Sequence, residues 1–212
     1  LLLHLQESLK VSYKADFCIG YFNLRGWNQL ENLINNWTGT DENCCRLLIG
    51  MHRSPQDELK KALSIVEKEI DQQTVIRLKK KLAEEFREQL MLGIPNNSDE
   101  KSLQKLAIQL KEKKVRVKLF LRYPLHAKLY LLFRNDFNNP ITGYIGSSNL
   151  TFSGLSGQGE LNIDVLDHDA CNKLSNWFKD RWEDRWCFDI SEELINVIEE
   201  SWAREELIPP YY

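Results

Sequence analysis

No apolar run in this sequence approaches the ~20 residues that a helix needs to span a bilayer, so no membrane partner is expected. Leu1-Leu2-Leu3 is too short for a signal peptide, and polar residues follow it. The five cysteines (Cys18, Cys44, Cys45, Cys171 and Cys187) lack metal-ligand spacing. An odd number without a secretory signal fits reduced thiols in a cytoplasmic protein. No cluster of Asp, Glu and His points to a metal, and no cofactor is implied. There is no Gly-x-x-x-x-Gly-Lys-Ser/Thr phosphate loop, so this piece cannot run an ATPase of that type. Internal repeats and low-complexity linkers are missing too. The chain does not begin with Met and reads as a piece of a longer protein. Its net charge of −3 gives no global support for binding nucleic acid.

What is present is an alternation of strand and helix signals. Amphipathic periodicity predicts helices over residues 2–13 and 27–37. A longer helical stretch starts at Ser54-Pro55, a good N-cap followed by a good first residue, and runs to about residue 92. Further helices are expected over residues 98–113, 169–182 and 191–206. Short apolar runs predict strands at residues 15–21, 45–50, 115–121, 141–145 and 161–166, with another carrying His126. Strands separated by helices imply an α/β layered domain around a mixed sheet over residues 1–212, with a helical insert at about 55–113.

The chemistry concentrates in residues 125–163. His126, Lys128 and Tyr130 alternate with apolar residues, which predicts a strand with His126 and Lys128 on one face. The next strand runs into Gly146-Ser147-Ser148-Asn149, where glycine permits a tight backbone and the side chains are short donors suited to phosphate oxygens. Glu160 follows. One imidazole, one ammonium, hydroxyl and amide donors and one carboxylate suit attack on a phosphodiester without a metal. Residues 101–122 hold eight basic residues and one acid. They lead directly into His126 and could set up a positive local field. Lys113, Lys114, Arg116 and Arg122 in this block, with Arg25 after the first strand, are the candidate nucleic-acid contacts. On charge alone a solvated helix face is the simpler reading. His4, His52 and His168 are expected to be surface or capping residues, with approach to the cleft the alternative for His52, which follows the second strand. The six tryptophans sit at helical spacing and are expected in the core rather than as a base-stacking platform.

These residues resemble the phospholipase D superfamily. Its signature is His-x-Lys, a spacer, then Gly-Ser-x-Asn, and His126, Lys128, Gly146, Ser147 and Asn149 match it residue by residue. The signature also carries an Asp five residues after the Lys, where this chain has Phe133. Glu160, eleven residues after Asn149, is similar to the Glu of the metal-independent endonuclease branch. The superfamily's active site needs two His-x-Lys motifs, and this chain has one, so the resemblance implies a homodimer with two His126 imidazoles at one phosphate. One imidazole is then the nucleophile, giving a phosphohistidine, and the other protonates the leaving oxygen. Imidazoles titrate near pH 6.5, about where both forms coexist. Lys128, Asn149 and Ser147 would neutralise the phosphorane, and Glu160 would orient the imidazole or pair with Lys128.

Members of this superfamily cleave lipids, DNA or RNA, and fold cannot decide among them. No amphipathic membrane-binding segment stands out, and the basic block favours nucleic acid. Residues 20–27 (Gly-Tyr-Phe-Asn-Leu-Arg-Gly-Trp) and the terminal Ile208-Pro209-Pro210-Tyr211 resemble the phospholipase D-like domain at the N-terminus of some DNA helicases. The expectation is therefore a nuclease acting on DNA, in one chain with a helicase motor that serves restriction or repair. Two alternatives stay open: a non-catalytic DNA-binding module, with Phe133 marking a decayed site, and a lipid phosphodiesterase.

Overall fold

A computed structural model describes residues 1–50, 72–90, 97–157 and 159–205. The helix start at Ser54-Pro55, His52 and the Ile208–Tyr211 segment lie outside the described residues. One seven-stranded sheet forms the middle layer. Its strands are β1 (Ser12–Ile19), β2 (Cys45–Ile49), β3 (Val115–Phe120), β4 (Leu129–Arg134), β5 (Ile141–Gly146), β6 (Asn162–Val165) and β7 (Cys187–Asp189), in the order β6-β5-β4-β1-β2-β3-β7. β1, β2 and β3 run parallel, and every other pairing is antiparallel. The α/β class and the mixed sheet expected from the sequence are what the chain forms.

The helices divide between the two faces. Helices α1 (Leu2–Lys10), α2 (Leu24–Trp27), α3 (Glu31–Ile34), α4 (Gln72–Leu90), α5 (Asn97–Lys111) and α7 (Ser191–Glu205) cover one face; α6 (His168–Trp182) covers the other. The larger core alternates along the central strands: Ala15, Phe17 and Ile19 of β1 join Leu47 and Ile49 of β2 and Val117 and Leu119 of β3. Leu82 and Phe86 of α4 and Leu106 of α5 belong to the same buried cluster as the sheet. The buried amide of Gln109 ties α5 to α3, accepting from Trp27 Nε1 at 3.1 Å and donating to the Glu31 carbonyl at 2.8 Å.

Beneath α6 lies a buried ion pair. Arg46 donates from Nε and Nη2 to the two carboxylate oxygens of Asp16, both at 2.5 Å. The Arg46 guanidinium lies 5.1 Å from the Phe178 ring centroid and 5.3 Å from that of Trp182.

Three local expectations change. The helix expected over residues 27–37 is two short helices, because the Asn23 side chain caps α2 early, accepting from Gly26 N–H, and Leu30 leaves helical geometry at φ −121°. β7 is an extra strand of three residues, too short to show a period. The strand after His126 begins only at Leu129. β1, its neighbour, turns away at Gly20 and Tyr21, so His126 and Lys128 find no ladder partner on that side and precede the strand as extended chain.

Candidate active site

The C-terminal ends of β1, β2 and β5 and the start of β4 meet at one end of the sheet. Backbone hydrogen bonds fix this junction: Gly50 N–H donates to the Ile19 carbonyl at 2.8 Å, Leu125 N–H to Gly50 at 2.9 Å, and Gly146 N–H to Lys128 at 3.3 Å. His126 is thus carried beside the ends of β2 and β4. Glycine at position 50 follows from sterics: a Cβ there would lie 2.1 Å from the Leu125 carbonyl oxygen and push the His126 segment away.

Lys128 Nζ lies 3.2 Å from His126 Nδ1 and donates to the His126 carbonyl at 3.1 Å. His126 is exposed and Lys128 half-buried, so the pair faces solvent. Asn149 comes from the segment after β5. Its Oδ1 accepts from Gly20 N–H at 3.1 Å and Tyr21 N–H at 3.0 Å, closing the end of β1. With the oxygen held on both, the Nδ2 donor is turned to the opposite side, where no partner occurs among the described residues. Ser147 is exposed; its hydroxyl accepts from Leu161 N–H at 3.1 Å.

Other expected site residues are placed differently. Ser148 is fully buried: its hydroxyl accepts from Asn162 Nδ2 at 2.8 Å, and its carbonyl accepts from the Tyr130 hydroxyl at 2.9 Å. It props the loop and has no face open to a phosphate. Burial pushes the Tyr130 phenol well above its usual range, which keeps it protonated as that donor. Gly146 serves a close approach, since a Cβ would meet the Leu161 carbonyl oxygen at 2.2 Å. Glu160 forms no hydrogen bond or ion pair with His126 or Lys128 in the single chain. It lines a cavity of about 320 Å³ with His4, Tyr144, Asn162 and Asp164 beside β6.

The basic block divides along β3. Lys113, Lys114 and Arg116 sit at the start of that strand, beside Cys45 at the start of β2, and so at the opposite end of the sheet from His126. Six residues of strand span about 20 Å. Arg116 pairs with Asp41, and Lys114 with Glu112 at 2.6 Å. Nearness in sequence therefore gives no positive field at the site from these three. Arg122, past the end of β3, does lie at the site end and pairs with Asp184 at 2.9 Å. Arg25 on α2 is also at this end, exposed, without a partner among the described residues. Sequence reading missed Gly20, Tyr21 and Asn162, whose contacts hold Asn149 and Ser148; nothing in their local pattern signals that role.

Among the described residues no His, Cys, Asp and Glu group could hold a metal ion, and no helix is long and apolar enough to cross a membrane.

Over residues 12–182, from the start of β1 to the end of α6, the sequence matches a family model described as cardiolipin synthase, phospholipase D-like domain. Among solved structures the fold is similar to NucT from Helicobacter pylori, with 9% identity, TM-score 0.50 and 89% of each chain covered. It is similar to polyphosphate kinase from Porphyromonas gingivalis, with 9% identity and TM-score 0.50, over 98% of this chain and 27% of that one. Nuc from Salmonella typhimurium, a phospholipase D family member, follows at 11% identity and TM-score 0.47, with 88% of each chain covered. At such identities the likeness concerns the fold. No curated protein matches the sequence.

Proposed function

The chain belongs to the phospholipase D-like domain family, and from that premise we propose that residues 1–212 form a metal-independent phosphodiesterase that cleaves DNA through a phosphohistidine. The observation that carries this reading is the solvent-facing His126–Lys128 pair, 3.2 Å apart, at the sheet end where Asn149 is anchored through its amide oxygen.

His126 Nε2 attacks phosphorus, and the bond to the leaving oxygen breaks as a second, protonated imidazole gives that oxygen a proton. Water then attacks the phosphohistidine, with the second imidazole as base. Among the described residues one chain has one such imidazole at this end, and we assign the other to a second copy. Leu161 and Ile163 on the β6 edge, 82% and 63% exposed, are the aliphatic surface we assign to that contact. Lys128 Nζ and Asn149 Nδ2 neutralise the charge on the phosphorane oxygens.

The resting pair has a definite proton logic. A charged ammonium can only donate, so a neutral His126 accepts at Nδ1 and carries its own proton on Nε2. That tautomer is neither the acid, which is the imidazolium, nor the nucleophile, whose Nε2 must carry a free lone pair. A nucleophilic ring needs Nδ1–H facing an acceptor, and an incoming phosphate makes this possible by drawing Lys128 onto its own oxygens. Glu160, in the same chain or the second copy, is the carboxylate we assign to Nδ1. From the likeness of residues 20–27 we also propose that this unit works beside a helicase motor, in restriction or repair.

The test is cleavage of a DNA oligonucleotide in EDTA. Turnover is expected to persist with chelator, His126→Ala to abolish it with an unchanged melting curve, and radiolabelled diester to leave acid-labile label on the wild type alone. A requirement for added Mg²⁺, or activity that survives His126→Ala, overturns the reading.

A further inference from the structure

Exposed rings gather around the proposed catalytic pair. Among the described residues four large aromatic side chains stand exposed: Tyr21, Tyr123, Phe137 and Phe152. Phe137, in the β4–β5 turn, is at the far end of the sheet. The other three, 38%, 44% and 47% exposed respectively, are all at the His126 end. Single exposed apolar residues are ordinary on a protein surface. Three rings at one end, on both sides of a reactive imidazole, form a pattern.

Each ring is held. Tyr123 stacks edge-on against buried Phe120, with centroids 5.0 Å apart. The Tyr21 backbone is anchored by Asn149 Oδ1 at 3.0 Å. Phe152 follows Asn149 by three residues, and the Phe152 carbonyl accepts from Ser156 Oγ at 3.0 Å. A guanidinium accompanies each side. Arg122 is next to Tyr123. Arg25 lies on α2, which packs so closely on the Phe152 loop that a Cβ at Gly26 would lie 2.5 Å from the Leu150 carbonyl oxygen. By strand order Arg122 and Tyr123 follow β3, Tyr21 follows β1 beside the His126 segment, and Phe152 follows β5, with Arg25 on the α2 that packs on its loop.

Resting on the phosphodiesterase reading above, we infer that this row selects unpaired nucleic acid: bases stack on Tyr123 and Tyr21 while Arg122 and Arg25 track the phosphates and draw one linkage onto His126. A duplex shows its bases only as edges in the grooves, so exposed rings find no face there. Every unpaired base offers one whatever its identity. The arrangement thus gives strandedness selection without sequence selection, and the modest number of arginines leaves most of the affinity to stacking. The aliphatic β6 edge lies beyond β5, with Leu161 bonded to Ser147, and is the surface assigned above to the second copy.

The experiment uses the protein as it assembles in solution and three substrates at one ionic strength: a single-stranded oligonucleotide, the same strand in a duplex, and bis(p-nitrophenyl) phosphate. The small diester reports the chemistry alone, so failure to hydrolyse it counts against the phosphodiesterase reading. Strandedness is read separately by fluorescence anisotropy with His126→Ala protein, which needs no turnover. The expected result is at least tenfold tighter binding of the single strand than of the duplex. Tyr123→Ala and Tyr21→Ala should each weaken the single strand about tenfold, and Tyr123→Trp should recover it. In turnover the loss should fall on KM rather than kcat. Equal affinity for both forms overturns the inference, as do ring variants that bind like wild type. So does a variant that dissociates the dimer, which would make the rings subunit contacts, or one that loses anionic vesicles rather than oligonucleotide.

Discussion

Asn149 divides one amide between two tasks. Its oxygen terminates β1 through Gly20 and Tyr21, and its nitrogen is the donor we assign to the phosphate. The tasks separate by substitution. Asn149→Asp keeps both acceptor bonds and replaces the donor with a negative charge, so thermal melts should stay close to wild type while diester turnover falls about 10²–10³-fold. Asn149→Ala strands two backbone N–H groups and should cost about 1–3 kcal/mol in chemical denaturation as well. Phe133 invites the opposite expectation. It stands in register with Lys14, whose Nζ lies 5.4 Å from its ring centroid, and five residues of strand, about 16 Å, separate it from Lys128. Whatever orients His126, position 133 does not. Phe133→Asp should therefore leave turnover within about twofold of wild type, in steady-state kinetics on the small diester. At this scale the spacing His-x-Lys and Gly-Ser-x-Asn made the reactive groups legible. It could not distinguish Ser147 from Ser148, because consecutive extended residues face opposite ways and only the surrounding fold says which way is in.

The elements became legible where burial imposes a period. β1 and β2 are largely buried on both faces and sit in the middle of the sheet, and α6 and α7 keep a helical stripe. What escaped was set by partners distant in sequence. β7 exists because β3 offers it an edge, and the chain ahead of β4 stays out of the ladder because β1 bends toward Asn149. The basic block misled for a related reason: a strand carries neighbours in sequence to opposite ends of a sheet. One packed element also carries charge inside. Asp16 and Arg46 are joined under Phe178 and Trp182, and removal of one partner should cost far more than replacement of both. Urea unfolding should give Asp16→Ala a loss of about 3–5 kcal/mol, and the double variant Asp16→Leu/Arg46→Met a stability within about 1 kcal/mol of wild type or above it.

For the whole molecule, the proposed site takes one imidazole, His126, from each chain. If two copies share each site, wild type and His126→Ala mixed in equal amounts and exchanged should retain about a quarter of the activity, the fraction of all-wild-type pairs; independent sites would retain half. Light scattering on the same mixture checks that the dimer persists. The layered α/β architecture was readable from the order of its elements, whereas the placement of the exposed β6 edge beside Glu160 needed coordinates, since periodicity does not say which strand lies outermost. The parallel run of β2 and β3 has one more effect. Departure from the sheet at Gly50 touches Leu125, and re-entry at Val115 is a strand length away, so the β2–β3 connection leaves the sheet at the end that carries His126 and returns at the other. Extra residues spliced in directly after Gly50 would start beside the proposed site while the hydrogen-bonded scaffold keeps its order, which marks this point as a graft site for altered selectivity.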